Sequence, residues 1–205
     1  GLDPAPIGEE FITNDKVRKI TFTGSTETGK MLARGAADQM KRVSLELGGH
    51  APFLVLKDAD PVFAAKGAVL VKYLNTGQAC ICPNRLFVHK SGVDAFTEEF
   101  VSRVSRMRAG NGLEEGISIG PLVNEKAIEK VERQVADATA AGAELLCGGH
   151  RLMEDGLDKG HFYAPTVLAN VTPDMLIYRE ETFGPVAPII PFDDDDDLLA
   201  MANDT

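Results

Sequence analysis

Some short stretches of this sequence hold residue types that could do chemistry. Cys80 follows Asn75-Thr76-Gly77-Gln78-Ala79, a polar, glycine-containing break after a helical stretch. A thiol on such a turn can act as a nucleophile, because nearby backbone N–H groups stabilise a thiolate or an oxyanion. The competing reading is a buried, inert cysteine. Glu46 sits in Val43-Ser44-Leu45-Glu46-Leu47, an apolar run closed by Gly48-Gly49. Strand alternation turns Ser44 and Glu46 one way and Leu45 and Leu47 the other. A carboxylate at the carboxyl end of a strand, raised in pKa by partial burial, suits a general base; a solvated edge-strand glutamate is the alternative. Gly24-Ser25-Thr26-Glu27-Thr28-Gly29-Lys30 has the G-x-x-x-x-G-K spacing of a nucleotide phosphate loop. Met31 stands where a magnesium-holding hydroxyl belongs, and Glu27 would face phosphate with the wrong charge, so nucleotide hydrolysis is disfavoured. What remains is a glycine turn opening a helix, whose free N–H groups suit a pyrophosphate, or an ordinary turn capped by Ser25 or Thr26.

Other clusters carry less. Cys82 and Cys147 complete the cysteine set. Cys-x-Cys without a second ligand pair is not a zinc site, and no metal is expected. An odd, small number of cysteines fits a reducing compartment, here the cytoplasm. His50, His89, His150 and His161 share no ligand spacing and read as surface or loop residues. Asp193 to Asp197 lack calcium-loop spacing and read as a solvated turn whose last member caps a helix beginning at Leu198. The net charge of −10 argues against a nucleic-acid backbone as partner and against a polybasic membrane contact. No apolar run approaches the roughly 20 residues that span a bilayer, and no secretory signal is visible.

The elements that must position these residues alternate between strand and helix. Lys19 to Thr23 reads as a strand after a Pro/Gly-rich opening, followed by a helix through Gln39 and a strand at Val43–Leu47, together one β-α-β unit. Pro52–Leu56 is a strand, Pro61 to about Leu74 a helix, Arg85–His89 a strand and Val93–Met107 a helix. Asn124–Ala141 is a long helix ended by Gly142, with strands at Glu144–Cys147, Thr166–Leu168 and Pro185–Pro191. This alternation predicts an α/β fold with a largely parallel sheet and flanking helices. Ligands in such folds bind beyond the carboxyl ends of the strands, where Gly24, Gly48 and the Cys80 loop are expected. Gly1 and Thr205 lack the signals of natural ends, so the chain reads as a piece of a longer protein.

Taken together, the motifs resemble the aldehyde dehydrogenase superfamily, and within it the succinate-semialdehyde dehydrogenases. Phe22-Thr23-Gly24-Ser25-Thr26-x-x-Gly29 resembles the cofactor phosphate turn, and Leu45-Glu46-Leu47-Gly48-Gly49 the general-base motif. Gly77-Gln78-Ala79-Cys80 resembles the nucleophile motif, and Glu180-Glu181-Thr182-Phe183-Gly184-Pro185 the nicotinamide-side motif, all in family order. The resemblance implies oxidation of a small-molecule aldehyde by Cys80 through a thiohemiacetal and a thioester, with Glu46 as base for deacylation. It implies NAD or NADP as cofactor, held by Gly24, Ser25, Leu47, Gly48, Glu181 and Phe183. It implies residues 1–48 as a remnant of the NAD(P)-binding domain, 49–205 as a C-terminally incomplete catalytic domain, and a homo-oligomer for the full-length protein. An oxyanion-hole asparagine and the segment that reads the adenosine ribose lie outside this sequence. Leu74 stands where the succinate-semialdehyde group typically has a carboxylate-gripping arginine, and Cys82 stands where some members keep a redox partner for the nucleophile.

Overall fold

The computed structural model describes residues 3–193 and 195–205. The chain divides into two compact units, Gly1–Gly48 and Gly49–Thr205. The first contains helix α1 (Ala5–Thr13), strand β1 (Lys19–Thr23), helix α2 (Thr26–Ala37) and strand β2 (Arg42–Glu46). β1 and β2 pair in parallel from Lys19 opposite Arg42 to Thr23 opposite Glu46, giving the expected β-α-β unit. Ile20, Leu32 and Ala36 are its buried apolar residues, with Ile12, Val17 and Phe22 packed against them.

Helix α1 departs from the irregular opening that Pro4 and Pro6 suggest. Proline is tolerated in a first helical turn, where the missing N–H would have no intrahelical acceptor. The carbonyls at and just beyond its carboxyl end are taken by side chains distant in sequence. Lys41 Nζ donates to Phe11 O (2.9 Å) and Asn14 O (2.7 Å), and Gln39 Nε2 donates to Thr13 O (2.8 Å). Capping by residues this far along the chain leaves no local signal to read.

The second unit begins with β3 (Pro52–Val55), α3 (Pro61–Lys72), a 3-10 turn (Leu74–Gly77), β4 (Arg85–His89) and α4 (Val93–Val104). It continues with α5 (Glu125–Ala140), β5 (Glu144–Cys147), β6 (Thr166–Ala169), the short α6 (Leu176–Arg179), β7 (Val186–Phe192) and α7 (Asp195–Ala202). The five strands lie in the order β3-β4-β7-β6-β5, all neighbours parallel except β5 against β6. Local signals start its main helices. Asp60 accepts from the N–H groups of Val62 and Phe63 ahead of α3, and Asn124 accepts from Ala127 N ahead of α5.

Alternation along the central strands divides the core in two. Leu86, Val88, Val167, Ala187 and Ile189 face one cluster with Ala65, Ala68 and Val69 of α3 and Phe96, Phe100 and Val104 of α4. Phe87, Leu168, Val186, Ile190 and Phe192 face the other, with Ile128, Val131, Val135 and Ala138 of α5. Both faces of these parallel strands are covered, so they read as continuous apolar runs.

The topology corrects some sequence expectations. Gly24 and Gly48 do follow the carboxyl ends of β1 and β2. The Cys80 loop instead precedes β4, as Gly49 precedes β3 and Glu181 precedes β7. Helix α3 carries the chain from the carboxyl end of β3 back across the sheet. The parallel partners β3, β4 and β7 therefore begin on one edge, and the cysteine loop lies at their amino ends. Helix α7 begins at Asp195, so Asp197 lies inside it rather than capping it, and Asp194 falls outside the described residues. A run of aspartates can enter a helix when the first turn's positive dipole end offsets their charge. His89 is buried in β4, its ring edge-on to Phe192 and its Nδ1 2.7 Å from Ser91 Oγ. His50 is half-buried, with Nε2 2.6 Å from Tyr178 O. His89 is therefore neither a surface nor a loop residue, whereas His50 lies in the loop between β2 and β3 as expected. Among the described residues, no helix is long and apolar enough to cross a membrane.

Arg85 is fully buried, and its guanidinium lies over the rings of Phe87 and Tyr178. It donates to His50 O (3.0 Å) and to Met201 O (2.8 Å) and Ala202 O (2.9 Å) at the end of α7. A cation at the carboxyl end of a helix satisfies carbonyls that have no intrahelical donor. Arg85→Met should therefore cost about 3 kcal/mol in urea denaturation, with Arg85→Lys restoring only part because an ammonium lacks the planar fork. An unchanged midpoint in Arg85→Met would remove this residue as the clamp on α7.

Candidate active site

In the first unit, the residues singled out by sequence gather at the carboxyl ends of β1 and β2. Gly24 N–H donates to Glu46 O (3.0 Å). Ser25 is the N-cap of α2, its hydroxyl accepting from Thr28 N (3.3 Å). The capped-turn reading of Ser25 is thus realised. A Cβ on Gly24 would run into the Phe22 ring, and one on Gly29, within α2, into the Leu47 side chain, so either would have to displace that side chain. Glu46 is exposed, not partly buried. In a two-stranded sheet both strands are edges.

In the second unit, the candidate nucleophile sits on a constrained turn. Asn75, Thr76 and Gly77 all have left-handed backbone, with φ of 49°, 61° and 76°. A β-branched threonine rarely adopts this conformation. Thr76 is held there because its Oγ1 accepts from Gly120 N (2.9 Å) and donates to Gly120 O (3.3 Å). Gln78 ties the same loop to its neighbour, donating to Pro121 O (3.1 Å) and accepting from Val123 N (3.0 Å). Gly77 lies so close to the Gly184 carbonyl that a Cβ would overlap it. The next turn is closed by Cys82 N–H donating to Ala79 O (3.0 Å), with Cys80 at its second position. Cys80 is exposed there.

The other thiols differ. Cys82 is fully buried and points its S–H at Val71 O (3.3 Å) near the end of α3. Burial pushes its thiol above the ordinary value, although the nearby Lys72 charge opposes the shift. Burial likewise raises Cys147, which is half-buried beside β6.

The segment before β7 meets this turn from the other side. Glu181 is half-buried, its Oε1 accepting from Gly49 N–H (3.1 Å). Gly49 in turn lies against Cys80, with an ideal Cβ only 2.6 Å from the Cys80 carbonyl oxygen. Phe183 also has left-handed backbone (φ 52°), which turns its ring outward, and it is exposed rather than packed in the core. Cys80, Glu181 and the Phe183-Gly184 bend are thereby drawn to one edge of the five-stranded sheet.

Sequence reasoning passed over Lys72 and Asn84 and gave Gly49 no role beyond its motif. Lys72 did carry a signal: with Ala65, Ala68 and Val69 it completes the i, i+3, i+4, i+7 stripe that α3 buries. A lysine on that stripe must find a partner inside. Its ammonium donates to Asn84 Oδ1 (3.2 Å), and burial lowers its pKa to about 8 against the pull of Cys82 and Glu181.

Comparison with known proteins agrees with these motifs. The model of the aldehyde dehydrogenase family matches residues 3–205. Mitochondrial succinate-semialdehyde dehydrogenase of Oryza sativa subsp. japonica is 49% identical, over 97% of this chain and 37% of its own length. The NADP(+) succinate-semialdehyde dehydrogenase GabD of Escherichia coli (strain K12) is 47% identical, over 97% of this chain and 40% of its own. The chain thus spans about two fifths of the length of the curated relatives it matches. The crystal structure of succinate-semialdehyde dehydrogenase from Burkholderia pseudomallei superposes with a TM-score of 0.94 at 48% identity, covering 99% of this chain and 41% of that one. With four ordered motifs, the parallel α/β fold and a family match along nearly its whole length, the chain belongs to the aldehyde dehydrogenase family.

Proposed function

We propose that this chain supplies the nucleophile, the base and part of the cofactor cradle of an NAD(P)-dependent enzyme that oxidises an aldehyde, a semialdehyde such as succinate semialdehyde in the first reading, to the acid. The observation that carries this is the exposed Cys80 on a turn held by left-handed residues and braced by Gly49 and Gly184. Strained backbone maintained by its surroundings is a mark of functional loops.

The Cys80 thiolate attacks the aldehyde carbon, and a C–S bond forms as the carbonyl becomes an oxyanion. The Cys80 backbone N–H donates to that oxygen. A nicotinamide held there would supply the hydride acceptor. Loss of the hydride leaves a thioester on Cys80, and Glu46 takes a proton from the water that hydrolyses it, so one hard step is divided into two. The residues present fit a dinucleotide. The Gly24-Ser25 turn opens the twelve-residue α2, and the first turn of a helix suits a pyrophosphate. Glu181 commits one carboxylate oxygen to Gly49, and the other has no protein partner among the described residues and can accept from a ribose hydroxyl. Leu47, Gly48 and Phe183 would line the nicotinamide. In this reading residues 1–48 belong to the cofactor domain and 49–205 to the catalytic domain of a cytoplasmic homo-oligomer. Cys82 would be a redox partner for Cys80 only after the loop turns its buried thiol outward.

Leu74 favours a second reading of the substrate. It is 49% exposed at the start of the nucleophile turn and offers no charge-assisted contact to a carboxylate. An uncharged aldehyde then becomes the substrate.

Iodoacetamide at neutral pH should alkylate Cys80 first, and Cys80→Ser should abolish the fast phase. Because burial raises Cys82 and Cys147, their thiolates form only as pH climbs beyond the ordinary thiol value of about 8.5. Selectivity for Cys80 is therefore widest at neutral pH and narrows upward; equal early labelling at Cys82 or Cys147 would count against the assignment. The purified 205-residue chain should bind NAD weakly and turn over little aldehyde, since lacking one oxyanion donor costs about 2.7–4 kcal/mol; strong NADH production by it would contradict this. In the full-length enzyme, Leu74→Arg should raise kcat/KM for succinate semialdehyde relative to an uncharged aldehyde of similar size, and no change in that ratio would remove position 74 from substrate selection.

A further inference from the structure

A line of hydrogen bonds runs from the buried end of α3 to the edge where Cys80 is presented. Lys72 Nζ donates to Asn84 Oδ1 (3.2 Å), Asn84 Nδ2 donates to Gly49 O (3.1 Å), and Gly49 N–H donates to Glu181 Oε1 (3.1 Å). We propose that Lys72 is a positioning residue: its ammonium orients the Asn84 amide, which pins Gly49, which in turn fixes the Glu181 carboxylate beside the Cys80 turn.

The direction of every link is forced by chemistry. An ammonium only donates, so Asn84 must turn its oxygen toward Lys72. Its NH2 group then faces Gly49 O, which can only accept. Gly49 is therefore held on both sides, through its carbonyl by Asn84 and through its N–H by Glu181. Without such restraints a glycine has the softest backbone of any residue. The position must be glycine because Cys80 O occupies the space of a Cβ. The relay begins on a cation and ends on an anion with every donor pointing the same way. Such chains polarise each link in turn.

The alternative is that Lys72 fills space. It is fully buried, and Cys82 and Glu181 nearby favour its ammonium form, while its charge disfavours protonation of His50. Methionine would fill the same volume, yet it cannot orient Asn84. The two roles therefore separate in one substitution.

The functional meaning of the relay rests on the proposed role of Glu181 toward the ribose, but its test does not. Amide hydrogen exchange at Gly49, followed by NMR on the 15N-labelled 205-residue chain, reports directly on the Gly49–Glu181 bond. Lys72→Met is expected to speed Gly49 exchange about tenfold or more. Lys72→Arg, which keeps charge and donor, should preserve protection, and Lys66→Met on the exposed face of α3 should leave it unaltered. Lys72→Met combined with Glu181→Ala, which removes the acceptor of the Gly49 N–H, should be no faster than Glu181→Ala alone. Unaltered Gly49 exchange in a Lys72→Met protein that keeps a dispersed spectrum would overturn the proposal. If Lys72→Met does not fold, Asn84→Ala breaks the relay one link further on, and unaltered Gly49 exchange there overturns it equally. In the full-length enzyme, Lys72→Met should raise KM for the cofactor more than it lowers kcat. Loss of Gly49 protection without a KM effect would support the relay while counting against the ribose role of Glu181.

Discussion

Gly77 and Gly184 bring two backbones together at a distance that excludes any side-chain atom. Most of the candidate site follows from that contact. The Gly77 side carries the left-handed run Asn75-Thr76-Gly77 and, three residues on, Cys80. The Gly184 side carries the left-handed Phe183 and, three residues back, Glu181. Neither bend is locally favourable, since left-handed backbone is disfavoured for residues with a Cβ. Each is maintained by what surrounds it: Thr76 by the Gly120 peptide, Gln78 by Pro121 and Val123, and Gly184 by its packing on Val131. The cysteine is thus presented by a junction of loops rather than by one element.

Buried cations serve the same end in both units. Lys41 satisfies carbonyls where α1 ends, Arg85 those at the end of α7, and Lys72 the amide of Asn84. Each takes a donor-rich side chain into a place where unpaired backbone or amide oxygens would otherwise cost free energy. Arg85 also donates to His50 O, close in sequence to Gly49. Asn84 and Arg85 are neighbours in sequence and hold the consecutive carbonyls of Gly49 and His50. The start of β4 therefore organises the strand beside it through side chains as well as through the ladder.

The three thiols show how environment separates chemically identical groups. Cys80 is exposed at the second position of a turn, Cys82 is turned inward against α3 two residues later, and Cys147 lies half-buried beside β6. A sequence offers only their spacing. Exposure and the direction of each S–H decide which can meet a substrate.

Much of the fold was legible locally. Arg85–His89 and Glu144–Cys147 have the bounds that their β-branched and apolar runs predict, and Asp60-Pro61 and Asn124 mark helix starts as caps should. The motifs around Gly24, Glu46, Cys80 and Glu181 were legible too, because glycines and chemically active side chains at fixed offsets are properties of the chain itself. What the sequence could not decide were the features set by residues far apart along it. Helix α1 depends on Lys41 and Gln39, the exposure of Glu46 on β2 lying at the edge of a two-stranded sheet, and the burial of His89 on its place in the central β4. The Cys80 loop lies at the amino ends of the strands because α3 crosses back before β4 begins. The link from Lys72 to Glu181 spans more than a hundred positions and exists only once β3, β4 and β7 lie side by side. Local periodicity records which face of an element is apolar, whereas long-range hydrogen bonds and the packing of two glycines have no period to read.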